Sequence, residues 1–148
     1  MMFEFGNVRA DGELRTKWDY LLRIVGDFAL SVRGRVLYKE VDFCLVEFAV
    51  TLANWLSIAT DARPDFVYTS LESETEGLVR FDRLSSDGWR VCAAYQDQPL
   101  ADLVTTEELE IAALTYISSL RRRLAPRLDI LDCVEDPSVR GALYQRLG

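Results

Sequence analysis

The chain has 148 residues, nearly half of them hydrophobic, with 24 acidic side chains against 17 basic ones, a net charge of −7 and no histidine. The hydrophobic content excludes a disordered chain, and the length suits one domain that buries about two-thirds of its unfolded surface without staples. The lack of histidine excludes Ser-His-Asp and Cys-His nucleophilic systems and removes the commonest zinc ligand.

Phe3, Phe5 and Val8 alternate with polar residues and predict a first strand ending near Asn7. Asp11-Gly12 then turns the chain. Thr16, with Asp19 three residues on, predicts a capped helix near 14–23. Leu22, Ile24, Phe28, Leu30 and Val32 alternate with polar neighbours, which predicts a strand over about 27–33. A single longer strand with Gly26 as a bulge competes with the helix. Arg33-Gly34-Arg35 turns, and 36–39 returns as a strand.

The stretch 42–56 reads as a mostly buried helix with Asp42 at its start, since only Glu47, Thr51 and Asn54 interrupt its apolar surface and they share one face. It is too short and too polar to span a bilayer. Pro64 forbids its continuation. Residues 66–71, 78–84 and 89–95 read as an antiparallel meander, with Glu72-Ser73-Glu74-Thr75-Glu76-Gly77 as a polar loop and Ser85-Ser86-Asp87-Gly88 as a hairpin turn. Residues 96–103 read as a loop holding Pro99. Thr105 and Glu108 form a capping box for a helix over 106–124, with Arg121, Arg122 and Arg123 at its negative end and Pro126 as its stop. Asp136-Pro137 opens a short last helix in a tail over 132–148, with Val139, Leu143 and Leu147 on one side. That side must dock on its own domain or on a neighbour, so a homodimer is left open. The expected fold is α+β: an antiparallel sheet of about five strands packed against two main helices, 42–56 and 106–124, with a short C-terminal helix.

No phosphate-cradling glycine motif is present, and no cofactor is expected. Three widely spaced cysteines, Cys44, Cys92 and Cys133, make a disulfide framework unexpected and fit a reducing cytoplasm; Cys44 and Cys92 read as small buried hydrophobes. No pattern of a cleaved export signal opens the chain. The negative charge is local: residues 60–110 carry 12 acidic and 4 basic side chains. Such a surface repels nucleic acid and anionic membranes and attracts basic partners.

The candidate binding residues lie there. Glu72, Glu74 and Glu76 alternate on one loop, and Asp82, Asp87 and Asp97 follow in the same region. EF-hand spacing is missing, so no metal is expected on them. Trp89 and Tyr95 would be aromatic anchors beside the acidic residues, while each of them taken singly reads as a core residue. Glu107, Glu108 and Glu110 read as compensation of a helix dipole. Glu47, a carboxylate on an apolar helix, supports a second reading: a hydrogen-bonded group, or a general base facing a small-ligand pocket.

Three pieces, Phe3-Glu4-Phe5…Val8-Arg9, Val36-Leu37-Tyr38-Lys39-Glu40…Phe43…Val46-Glu47 and Phe66…Ser70-Leu71-Glu72…Glu76-Gly77, resemble a family of small uncharacterised bacterial α+β proteins, over about residues 2–130. The resemblance implies the fold and no known activity. In size and charge the chain is similar to immunity proteins, which neutralise basic toxin domains. That similarity implies a non-enzymatic inhibitor of a basic toxin or nuclease.

Overall fold

The computed structural model describes residues 1–95 and 103–147. The chain opens with strand β1 (Met2–Ala10), helix α1 (Lys17–Arg23) and strands β2 (Ile24–Val32) and β3 (Arg35–Cys44). Helix α2 (Leu45–Leu56) follows, then strands β4 (Phe66–Tyr68), β5 (Val79–Arg83), β6 (Gly88–Ala93) and β7 (Val104–Thr105). Helices α3 (Thr106–Leu124) and α4 (Pro137–Leu147) close it. The α+β class stands, but not one sheet of five strands. Among the described residues there are two antiparallel sheets, β1-β2-β3 and β4-β5-β6-β7. The chain enters α2 directly from β3, and this buried helix separates the strands before it from those after it.

The first sheet is longer than the alternation suggests. β1 runs past Asn7, because Arg9 and Ala10 still pair with Val25 and Ile24 beyond an irregularity between Gly6 and Arg9. Asn7 has φ 49°, the left-handed region that asparagine tolerates, and this carries the chain across the irregularity. Both readings of the next segment hold in part. Thr16 caps α1 reciprocally with Asp19, and the strand after it starts at Ile24, with its register shifting between Gly26 and Phe28. A Cβ at Gly26 would lie 2.6 Å from the Gly6 carbonyl oxygen and 2.9 Å from Leu45 Cδ1, so only glycine fits this close approach.

β3 continues to Cys44, paired with Val25, so Asp42 stays in the strand and does not cap α2. Its carboxylate forms an ion pair with Arg9. α2 is buried almost all round, including Leu45, Phe48, Leu52 and Trp55. Phe48 sits edge-on to Phe3, Phe28 and Phe43 of the first sheet and to Tyr68 and Tyr116. Phe28 and Phe43 stack across β2 and β3 with ring centroids 3.9 Å apart. Trp55 meets Phe66, Phe81 and Trp89 of the second sheet edge-on. α2 is thus the post on which both sheets are hung, and its aromatic contacts have the geometry that ring quadrupoles favour.

α3 has its capping box of Thr105 and Glu108 and buries Leu109, Ala113, Tyr116, Ile117 and Leu120. α4 starts at Pro137, with Ser138 N–H donating to the Asp136 carboxylate at 2.8 Å. Its Leu143 is buried and its Arg146 donates to the Leu56 carbonyl at 3.3 Å, so the tail docks on its own chain. Trp18 on α1 is 60% exposed, whereas Trp55 and Trp89 lie inside under the guanidinium groups of Arg63 and Arg83.

Candidate functional site

Glu47 falls in the first turn of α2, where burial leaves it 6% exposed. A carboxyl group there must replace the water it loses. Three donors do so: the Ser70 hydroxyl at 2.7 Å, the Leu71 N–H at 2.9 Å and the Tyr68 hydroxyl at 3.2 Å. β4 stops at Tyr68 and does not run to residue 71, and the Ser70 hydroxyl and Leu71 N–H go to Glu47 in place of a strand partner. Thr51, one turn on, donates its hydroxyl to the Glu47 carbonyl at 2.8 Å, while Asn54 is exposed.

The acidic loop grows from this root. Glu72 N–H donates to Ser70 Oγ at 3.2 Å, Ser73 N–H to the Ser70 carbonyl at 3.1 Å and Thr75 N–H to Ser73 Oγ at 3.1 Å. Gly77 closes it with φ 64°, its N–H donating to Thr69 Oγ1 at 2.9 Å. The Thr75 and Tyr95 hydroxyls lie 2.9 Å apart, which ties the tip of the loop to the end of β6. The loop has no regular structure, yet its backbone is held at nearly every second residue. Glu72, Glu74 and Glu76 are exposed, and among the described residues none of them pairs with a basic side chain.

Four other acidic residues of the same third of the chain are engaged. Asp65 accepts the Arg83 N–H at 2.8 Å, Asp87 accepts the Thr106 N–H at 3.1 Å at the start of α3, and Glu108 serves the capping box. Glu110 is not there for the helix dipole. It pairs with the buried guanidinium of Arg63 at 2.8 Å and with Arg146 at 3.5 Å.

The six predicted binding residues therefore separate. Glu72, Glu74, Glu76 and Tyr95, the last 81% exposed, come together. Asp82 is buried between Arg80 at 2.9 Å and Arg90 at 3.2 Å. Burial alone would raise its carboxyl, and the two arginines hold it below the usual range. Its charge is thus spent inside the sheet. Trp89 is fully buried, donating its indole N–H to Thr106 Oγ1 at 2.9 Å, so it is a core residue and no anchor for a partner. Asp97 and most of the predicted 96–103 loop lie outside the described residues. Cys92 is half-buried, its sulfur 3.9 Å from Asp82, and all three thiols are free.

β3 adds two groups, Tyr38 and Cys44, the latter buried as its apolar surroundings predicted. Tyr38, buried, donates its hydroxyl to Glu40; burial first and then this carboxylate push the phenol well above its usual range. Burial, followed by the charges of Glu47, Glu72 and Glu40, pushes the Cys44 thiol up to about 11, and the thiol donates to the Leu22 carbonyl at 3.6 Å. The only sequence signal for this cluster was that a lone carboxylate on an apolar helix needs donors, and Tyr68 and Ser70 are polar groups in a β-rich run. The cleft that Glu40, Cys44, Tyr68, Ser70 and Glu72 enclose measures about 60 Å³. Small-molecule sites take about 300–1,000 Å³. Glu47 is not among the residues that line the cleft. Among the described residues no cluster of acidic or cysteine side chains is arranged to hold a metal ion, and no helix is long and apolar enough to cross a membrane.

A family model described as Domain of unknown function (DUF7878) matches residues 1–126. No curated protein and no solved structure matches the chain.

Proposed function

The chain belongs to that family of unknown function, whose match covers residues 1–126, and from this premise we propose that it is a non-enzymatic protein-binding domain. It presents the 72–76 loop to a basic partner, in the manner of an immunity protein that occupies a cationic toxin or nuclease. The observation that carries the reading is the contrast within one region. Asp65, Asp82, Asp87 and Glu110 are consumed by internal contacts, while Glu72, Glu74 and Glu76 are left exposed and unpaired on a loop pinned at its root by Glu47. A pinned loop loses little entropy on binding, so its charges act on the partner without a large ordering cost. Three like charges close together speed and select the encounter with a basic surface more than they set its strength. Tyr95, exposed and tied to Thr75, supplies an aromatic contact beside them.

The test starts with the product of the neighbouring reading frame, co-purified with the full-length chain. Changing Glu72, Glu74 and Glu76 together to Gln should slow association with a basic partner and flatten its salt dependence. Association equally fast for the triple variant at low and high salt would overturn the reading, as would a neighbour that does not bind.

A further inference from the structure

A second groove lies between the end of β1, the approach to α1 and the end of α3, with a volume of about 510 Å³, inside the range of about 300–1,000 Å³ that small-molecule sites occupy. Leu14, Tyr20, Ile24 and Leu128 give it an apolar floor, and Arg123 and Arg127 also line it. The arginines nearby are mostly spoken for. Arg121 holds the Asp129 carboxylate with two bonds of 3.0 and 2.9 Å, and Arg9 is paired with Asp42. Arg123 and Arg127 are exposed, and among the described residues neither has an acidic partner. Compensation of the helix dipole explains Arg123, in the last turn of α3, but not Arg127, which follows Pro126. Two unpaired planar forks beside an apolar trough match a ligand with a carboxylate head and a hydrocarbon body.

We propose that this groove binds an aliphatic carboxylate, its chain on the apolar floor and its head held by Arg123 and Arg127. None of these residues belongs to the acidic loop, so this site and the partner-binding surface stand or fall separately.

The test is titration calorimetry of the full-length protein with decanoate, with decanol as the neutral probe of the same length. Decanoate should bind saturably at one site, and decanol at least tenfold more weakly. The double variant Arg123→Gln, Arg127→Gln, which alters only exposed side chains, should lose about tenfold or more in decanoate affinity and leave decanol unchanged. An unaltered melting temperature shows that the variant is folded. The proposal is overturned by the absence of saturable binding, by decanol binding as tightly as decanoate, or by an unaffected double variant. Tighter binding of a short leucine-ended peptide with a free carboxylate would overturn it in favour of a peptide site.

Discussion

A buried side chain with several acceptor sites ties together whatever donates to it, and Glu47 ties a helix to a loop. Removing it in Glu47→Ala leaves the Ser70 hydroxyl and the Leu71 N–H facing an apolar helix. The expected loss of stability in a denaturant titration is roughly 2–4 kcal/mol, since each buried donor left without a partner costs about 1–3. The more telling readout is local: the Leu71 amide should exchange its hydrogen faster in the variant, and unchanged protection would mean that the loop root is held by something else. The cysteines offer a second check. Cys44, with its thiol pushed up to about 11, and Cys133, buried and also raised, should resist a thiol reagent at pH 8 until the protein unfolds, with half-buried Cys92 modified first. Rapid modification of Cys44 in the native protein would contradict its burial.

Helix ends show what a sequence does and does not disclose. α3 was legible from both ends, because a capping box and a basic last turn are local devices written within a few residues. The end of α2 was legible in place, at residue 56, but not in what holds it. There the carbonyls of Leu56 and Ile58 accept from Arg63, whose guanidinium also stacks over Trp55 at 4.6 Å and pairs with Glu110. In sequence Arg63 is one residue of a turn, and its partner lies 47 positions away. Arg63→Met should cost roughly 2–4 kcal/mol, below the usual 3–5 for breaking a buried pair because Glu110 keeps Arg146. Circular dichroism during urea unfolding would measure it, and a loss under 1 kcal/mol would mean that water caps the helix equally well. The strand count failed for the same reason of range. Alternation marks each strand but not which strands share a sheet, and the split depends on where a buried helix is threaded. In the candidate site the loop carboxylates were legible as composition. Trp89 and Asp82 were misread, because an aromatic or acidic residue in an alternating strand says nothing of whether a ring or an arginine covers it.

At the scale of the molecule, the tail is fastened through Asp129, which takes two bonds from Arg121, one from the Leu131 N–H and one from the Tyr144 hydroxyl. Burial alone would raise this carboxyl, but Arg121 and the other donors hold it below its ordinary value. A group depressed on folding contributes stability that is complete above its unfolded value of about 3.9 and fades as pH falls through the folded value. The gap in stability between the natural chain and Asp129→Asn should therefore be full at pH 7 and close below about pH 4. A gap that stays constant from pH 7 to pH 3 would show that the pairing contributes nothing. The three tryptophans make such experiments easy to read. Trp18 is 60% exposed, while Trp55 and Trp89 are shut in beneath Arg63 and Arg83 at the joint of helix and second sheet. Iodide in solution reaches Trp18 alone, so the quenchable part of the emission belongs to one residue near the N-terminus. Trp18→Phe would darken that part and leave an intrinsic dye, two indoles deep in the core, that changes colour only when the centre of the molecule opens.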